Sequence, residues 1–204
     1  MPEPRAALTA PEIRPVLPAD WPAFVQLFGA NGACDGCWCM WWRETRADYS
    51  RLRGDGNHAA METIVAAGET PGLIAYQAGA PIGWCAVAPR TRYPSLERSR
   101  LLRRIDDAPV WSVVCFFVAR PFRRQGLTVR LLKAAVEFAT GQGATIVEGY
   151  PVVPRTARMP GPSAFHGLLS AYLEAGFVEV ARPAEHRAVV RYYLNRGADG
   201  GSSA

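Results

Sequence analysis

Lysine and long apolar runs are what this 204-residue chain has least of. Lys133 is the only lysine among 23 basic residues, so arginine carries nearly all of the positive charge. No apolar run approaches the ~18–20 residues of a membrane span, and the first fifteen residues lack the apolar stretch of a secretory signal. We therefore expect a cytoplasmic protein with no membrane partner.

A disulfide framework and a disordered composition are also disfavoured. The chain has five cysteines, an odd number, while hydrophobic residues make up 49% and charged residues 20% of it, as in globular domains. A chain of this length buries a core without disulfides. We expect one domain over residues 13–195, preceded by a loose segment, 1–12, and followed by a disordered tail, 196–204, rich in glycine and serine.

The net charge of +5 is compatible with nucleic acid, an anionic cofactor or an acidic substrate. The arginines are spread over several segments and no nucleic-acid-binding motif accompanies them, so we expect no nucleic-acid partner. The arginine-rich stretch after Pro94 is predicted to be a short helix over 94–104 with a solvated face.

Apolar runs and helical spacing alternate along the chain. Residues 73–76 and 82–87 are apolar runs on either side of a turn, which predicts a hairpin. Residues 110–118 (VWSVVCFFV) are apolar almost throughout, which predicts a central strand covered on both faces. A helical stripe follows at Leu127, Leu131, Ala134 and Phe138. Strands joined by both hairpins and helices predict an α/β domain with a mixed sheet. Residues 30–56 are expected to be irregular, with Asn57 capping the next helix.

The connection between the central strand and this helix has the composition of an anion site. Three arginines, Arg120, Arg123 and Arg124, lie beside Gly126, where the helix begins. The first N–H groups of a helix lack internal partners, and the macrodipole adds positive charge there. Spacing alone leaves open an ordinary turn with solvated arginines.

Residues 123–128 (RRQGLT) resemble the pyrophosphate-binding motif of the GNAT superfamily of acetyl-CoA-dependent N-acetyltransferases, Arg/Gln-x-x-Gly-x-Gly/Ala. Thr128 departs from the motif at its last position. The order of elements over about 70–194 and the ending YLEAGF, from Tyr172 to Phe177, are also similar to that superfamily. The resemblance implies a single-domain GNAT-like fold, with a mixed, mostly antiparallel central sheet flanked by helices, and acetyl-CoA as co-substrate.

The same resemblance implies roles for individual residues. Main-chain groups of Phe117 and Val118 would pair with the pantetheine arm, and Tyr172 would protonate the departing thiolate, although Tyr172 could instead be a packing residue. The pyrophosphate would be held by Arg123, Arg124, Gln125, Gly126, Leu127 and Thr128. The expected reaction is direct attack, in a ternary complex, by the amine of a small-molecule acceptor on acetyl-CoA.

The predicted central strand lacks a carboxylate to take the proton of the amine. Glu148, on the next strand, is our candidate for this base, and a buried carboxylate that pairs with an arginine is the structural alternative. Asp106, Asp107 and a water chain remain open. The missing acid also keeps open a non-catalytic acyl-CoA-binding sensor.

Residues 31–43 (NGACDGCWCMWWR) combine thiols with indole rings. The thiols of Cys34, Cys37 and Cys39 fall one short of the four ligands of a tetrahedral metal site, so we expect a structural role and no metal there, although a histidine brought near by the fold would complete such a site. Our hypothesis is that a pocket for a cationic or aromatic acceptor is lined by Trp38, Trp41 and Trp42. These rings could equally cover the sheet. The sequence leaves open whether the protein is a homodimer.

Overall fold

Seven strands form one mixed sheet in the computed structural model, which describes residues 7–154 and 165–194. Their order is β1-β2-β3-β4-β5-β7-β6, and every neighbouring pair is antiparallel except β4 and β5. In chain order, β1 to β7 are Glu12–Pro15, Gly72–Gln77, Ala80–Pro89, Trp111–Val118, Ile146–Gly149, Val178–Ala184 and Arg187–Tyr193. The predicted α/β domain with a mostly antiparallel sheet is confirmed.

Six α-helices accompany the sheet within the described residues. From α1 to α6 they are Trp21–Phe28, Arg46–Leu52, Asp55–Ala66, Pro94–Glu97, Leu127–Gly141 and Leu169–Glu174. Side chains of α1 and α3 pack on one face of the sheet, and side chains of α5 and α6 pack on the other. None of these helices has the length and apolarity that crossing a membrane requires.

The central strand β4 carries core residues on both faces, as its apolar run predicts. Val114 packs with the N-terminal helices, whereas Val113 packs with α5 and α6. A register shift opposite Ala86 and Val87 of β3 places an extra residue of β4 at this point. Such a bulge bends a strand and re-aims its peptide groups.

Two local predictions differ from the structure, and each difference has a polar side chain as its cause. The predicted helix over 94–104 ends at Glu97, because Ser99 Oγ accepts the N–H of Leu102 at 3.1 Å and closes a local turn instead. Helix α2 lies within the stretch expected to be irregular. Thr45 caps it by accepting the N–H of Asp48 at 3.1 Å.

The predicted cap of the next helix is also placed differently. Helix α3 begins at Asp55, so Asn57 lies inside it and is buried. The Asn57 side-chain amide donates to the carbonyl of Gly36 at 3.0 Å and ties α3 to the cysteine segment.

Part of the segment expected to be loose contacts the body of the domain. Leu8 donates its N–H to Gln125 Oε1, and Thr9 donates its N–H to Gln77 Oε1, both at 2.9 Å. Residues 1–6 and the predicted tail 196–204 lie outside the described residues.

Candidate active site

Strands β4 and β5 run side by side for three register pairs and then part. The last pair is Val113 with Gly149, directly before the bulge of β4. Beyond it, β4 continues to Val118 along β3, while the chain after β5 bridges from Val152 to Arg187 near β7. The central sheet therefore opens into a split at its middle.

A later part of the chain lies inside this split. The carbonyl of Phe165 accepts the N–H of Phe116, on β4, at 2.6 Å. On the other side, Val152 donates its N–H to the Gly167 carbonyl at 2.9 Å and forms a parallel bridge with Leu168. Residues 165–168 thus connect the two edges of the split.

The direction of the peptide groups on β4 decides which of them face the split. Ala119 donates its N–H to the Ile82 carbonyl of β3 at 3.0 Å. Because residues of an antiparallel pair alternate between bonded and non-bonded positions, the main chain of Phe117 also faces β3. Phe116 and Val118 face the split. The sequence predicts Phe117 and Val118 for this edge, and the register of β4 places Phe116 with Val118 there instead.

The connection from β4 to α5 forms a basic concavity. A single turn of 3-10 helix at Arg120–Phe122 is followed by left-handed backbone at Arg124 (φ 60°) and Gly126 (φ 78°), and α5 begins at Leu127. Left-handed residues in a turn direct neighbouring N–H groups to one side and make an anion-binding nest. No atom lies within 4 Å of the position that a Cβ on Gly126 would take, so a phosphate can approach closely.

The remaining motif residues hold this concavity in place. Arg123 Nε donates to the Val118 carbonyl at 2.8 Å, and burial together with the neighbouring Arg120 lowers the pKa of Arg123. The Gln125 side chain spans from the N-H of Leu8 to the Pro121 carbonyl, at 2.9 and 3.0 Å.

The first two residues of α5 complete the motif. The Leu127 side chain is buried under Gly83 of β3, where a Cβ on the glycine would come within 2.8 Å of it. Thr128 is half-buried in the first turn. Leu127 therefore sets the position of the helix, and the first-turn N–H groups point towards the concavity.

Tyr172 lies at the point where the two strands part. It is fully buried on α6, and its hydroxyl oxygen is 3.5 Å from the Val113 carbonyl oxygen. A Cβ on Gly149 would collide with the Tyr172 ring, so the glycine at the end of β5 makes room for it. Burial raises the pKa of the Tyr172 hydroxyl well above its usual value. The hydroxyl therefore keeps its proton at neutral pH.

The parting of β4 from β5 and the nest at the start of α5 both lie within a stretch that matches a known family. The model of the acetyltransferase (GNAT) family matches residues 38–155, more than half of the chain. The chain belongs to the GNAT acetyltransferase family. Acetyl-CoA is the acyl donor of this family, and the concavity, with its open approach and its arginines, fits the pyrophosphate of that donor.

Solved structures share the GNAT fold with this chain at low sequence identity. The PaiA N-acetyltransferase of Thermoplasma acidophilum, in complex with coenzyme A, is 11% identical, with a TM-score of 0.52 over 91% of this chain and 100% of that one. A GNAT acetyltransferase of Listeria monocytogenes is 15% identical, with a TM-score of 0.53 over 93% and 100%. The ribosomal-protein-alanine N-acetyltransferase of Brucella melitensis is 16% identical, with a TM-score of 0.51 over 90% and 99%. A comparison with curated proteins found no match.

Glu148 is held in a buried ion pair in this GNAT domain. Only 2% of it is exposed, and its Oε1 accepts from Arg90 Nη1 at 3.0 Å and from the Tyr150 hydroxyl at 2.7 Å. Its Oε2 accepts from Arg191 Nε at 2.8 Å. Arg191 also binds Asp106 through two hydrogen bonds of 2.6 and 2.9 Å. Two of the carboxylates considered as bases are thus partners of buried arginines.

His166 is a buried histidine that the sequence does not mark as a site residue. It follows Phe165 inside the split, and only 3% of it is exposed. Its ring hydrogen-bonds the main chain of Val114, at the bulge of β4, while its Nδ1 is buried without a partner in the described residues. A single histidine among non-polar neighbours gives no local signal of this placement.

The three tryptophans separate into two groups. Trp38 is buried against α1, with its ring stacked 5.8 Å from that of Phe28, so it covers the sheet. Trp41 and Trp42 lie on the split side, where Trp41 is 6.4 Å from the Phe165 ring and Trp42 is 5.4 Å from the His166 ring. The guanidinium of Arg46 lies 5.1 Å over Trp41, which shows that this ring accepts a cation.

Three of the cysteine thiols interact with one another, those of Cys37, Cys39 and Cys115, and Cys115 lies on β4. Cys39 Sγ is 3.4 Å from Cys115 Sγ, and a hydrogen bond from Cys39 is the main reason that the pKa of Cys37 falls to about 6. Burial raises the pKa of Cys39 well above its usual value. Over residues 7–154 and 165–194, no group of three or more His, Cys, Asp or Glu side chains is arranged to hold a metal ion.

Proposed function

We propose that this GNAT protein transfers the acetyl group of acetyl-CoA to the amine of a small molecule by direct attack in a ternary complex. The observation that carries the proposal is the split of the central sheet. It has main-chain donors on one edge, a buried tyrosine at its fork and a basic nest at its mouth.

The chain supplies three of the functions that acetyl transfer needs. The nest formed by residues 123–128 holds the pyrophosphate, and Val118 pairs with the pantetheine arm. The N–H of Phe116 then faces the thioester oxygen and stabilises the negative charge that develops there. The Phe165 carbonyl now occupies this donor at 2.6 Å, so the thioester oxygen takes the place of that carbonyl.

Tyr172 is proposed to be the acid that protonates the departing thiolate. A tyrosine hydroxyl is already protonated at neutral pH, and burial raises the pKa of Tyr172 further. It also lies at the fork of β4 and β5, next to the strand that holds the acyl group. A tyrosine hydroxyl at this position is placed to act as general acid towards the sulfur.

The acceptor is proposed to enter on the side of Trp41 and Trp42. Both rings are half-buried, and Trp41 already carries the cation of Arg46 on its face. A primary amine that is cationic in solution suits such rings. Of the three solved relatives described above, one is named for its acceptor, as a ribosomal-protein-alanine N-acetyltransferase, and the names of the other two give no acceptor. The fold alone therefore does not select an acceptor.

A non-catalytic acyl-CoA sensor is the second candidate. It is favoured by the ion pairs of Glu148, which engage the carboxylate that stands nearest to the split. Such a sensor would bind acetyl-CoA but would release no CoA with any amine.

One experiment separates these functions. Acetyl-CoA binding is measured by calorimetry, and CoA formation is followed by chromatography with spermidine, kanamycin, tryptamine and an unblocked dipeptide as acceptors. Chromatography is preferable to a thiol reagent because the protein has five free cysteines. Binding with amine-dependent CoA release supports the transferase. Binding without release with any of these amines supports the sensor, and absence of binding contradicts both.

A further inference from the structure

His166 stands next to the atom that marks the reaction centre. It directly follows Phe165, whose carbonyl oxygen lies on the N–H of Phe116 at 2.6 Å. Since this N–H faces the thioester oxygen in the proposed function, His166 is one residue away from the position of the acyl carbonyl.

The two nitrogens of the His166 ring have different environments. One hydrogen-bonds the main chain of Val114, which by elimination is Nε2 donating to the carbonyl, and Nδ1 has no partner among the described residues. The nearby Trp42 Nε1 is also buried without a partner. Buried polar atoms are nearly always hydrogen-bonded. Two such atoms on rings whose centres are 5.4 Å apart therefore indicate a place for a polar group of a ligand.

We propose that His166 is the general base of acetyl transfer and accepts the proton of the acceptor amine on Nδ1. The inference rests on the proposed function, because it assigns a role within that reaction. In this step the amine nitrogen forms a bond to the acyl carbon, and its proton passes to Nδ1. The bond from carbon to sulfur then breaks, and Tyr172 protonates the CoA thiolate. The proton on His166 afterwards returns to solvent and Tyr172 takes a proton from solvent, so both groups regain their starting state.

The electrostatics of the site keep the His166 imidazole unprotonated before the reaction. Burial and the positive charge of Arg187, on β7, lower its pKa well below the usual value, and the hydrogen bond to Val114 only partly opposes them. The neighbouring rings, Trp42 and Phe165, are uncharged. The imidazole is therefore neutral at pH 7, and its Nδ1 lone pair is available.

The carboxylates that the sequence suggested are poorer candidates by geometry. Both oxygens of Glu148 accept hydrogen bonds from buried arginines, and Asp106 is bound by two hydrogen bonds from Arg191. The hydrogen bonds from Arg191 are the main cause that lowers the pKa of Asp106, which makes this carboxylate a weak proton acceptor. The unpaired Nδ1 of His166 lies inside the split itself.

A second contact joins the segment of His166 to β4. Its ring hydrogen-bonds the main chain of Val114, and this contact is separate from that between the Phe165 carbonyl and the Phe116 N–H. Phe165 and Trp42 cover His166 and are themselves only half-buried. An acceptor therefore reaches Nδ1 by separating these two rings.

The first test compares His166→Gln with His186→Gln, a matched control at an exposed position in the β6–β7 turn. With the best acceptor of the amine panel, we expect kcat to fall about 10²–10⁴-fold in His166→Gln, with the Kd of acetyl-CoA unchanged within about twofold. His186→Gln should behave as wild type. Added imidazole should restore part of the rate in His166→Ala, and only when the amine is present.

The second test measures no activity. The chain has three histidines, so ¹⁵N imidazole signals can be assigned with His58→Gln and His186→Gln even if His166→Gln does not fold. We expect neutral His166 at pH 7 with the proton on Nε2. A proton on Nδ1 at pH 7 would overturn the proposal.

The lowered pKa of His166 also predicts how the stability of the fold changes with pH. Because the pKa of His166 is lower in the folded than in the unfolded state, the unfolded chain binds the extra proton, and stability is lost as pH falls below about 6.5. The unfolding constant should rise by at most about tenfold per pH unit, and His166→Gln should remove this rise.

The outcomes distinguish a failure of the proposed function from a failure of the role assigned to His166. If the wild type neither binds acetyl-CoA nor forms CoA, the proposed function fails and the base fails with it. If the wild type is active and His166→Gln keeps its kcat, the transferase stands and only the assignment of His166 is overturned.

Discussion

Glu148→Gln is the substitution that tests most directly what the buried carboxylate does. The side chain keeps its size but loses its charge, while Arg90 and Arg191 remain 2% and 4% exposed. An amide has a single acceptor oxygen. If that oxygen takes the Oε1 position beside Arg90 and Tyr150, the NH₂ group faces the Arg191 Nε–H, which leaves a donor against a donor.

The expected loss of stability can be worked from these contacts. Breaking a buried ion pair costs about 3–5 kcal/mol. After the substitution, Arg90 still pairs with Glu97 at 2.8 Å and Arg191 still pairs with Asp106 at 2.6 Å. Because neither arginine is left without an acid partner, we expect a cost at the lower end of this range. We expect a loss of about 3 kcal/mol in the free energy of unfolding, which corresponds to roughly 6–12 °C in Tm for a chain of this size.

The assay is urea unfolding of wild type and Glu148→Gln, with Glu179→Gln as control. Glu179 makes two hydrogen bonds to Arg182, both of 2.6 Å, but the pair is exposed, and exposed pairs add little to stability. A loss below about 1 kcal/mol in Glu148→Gln would refute the view that this pair supports the fold. A fall in kcat with unchanged stability would instead support Glu148 as the general base.

Three further predictions concern the proposed acid Tyr172, the nest at Gly126 and the thiol of Cys37. Tyr172→Phe should lower kcat about 10²-fold or more and leave the Kd of acetyl-CoA unchanged, and an unchanged kcat would contradict the acid role. Gly126→Ala should weaken acetyl-CoA binding at least about tenfold in calorimetry, whereas Gly79→Ala, with a similar φ of 76° and equally open surroundings, should not. Alkylation of Cys37 by iodoacetamide, followed by mass spectrometry, should have its midpoint near pH 6, and Cys39→Ala should raise that midpoint. An unmoved midpoint in Cys39→Ala would show that another group stabilises the thiolate.

Local patterns in the sequence were sufficient for the elements that build the site. The apolar run of β4 and the spacing of α5 depend on neighbours within a few residues, and the motif around Gly126 is itself a local feature. The structure follows these predictions within one or two residues. The missed helix α2 also had a local signal, the cap formed by Thr45 and Asp48.

The roles within the site depend on contacts that no local pattern contains. Glu148 meets Arg90 and Arg191 across 58 and 43 residues of sequence, so its pairing could be named only as an alternative. The choice between Phe116 and Phe117 depends on one bulge, which reverses which peptide groups face the split. His166 reaches β4 from the end of a long connection, and nothing in its own neighbourhood predicts that.

The placement of charge then suggests how the split does its chemistry. Its anionic neighbours, Glu148 and Asp106, are compensated by arginines at the side of the sheet. The groups proposed to act at the reacting centre are neutral: the N–H of Phe116, the Tyr172 hydroxyl and the His166 imidazole. Charges are costly to keep in a buried site, and a closed split excludes the water that would solvate them. A site built from neutral donors and acceptors can therefore stay closed between turnovers, and charge appears in it only while the proton and the acetyl group move.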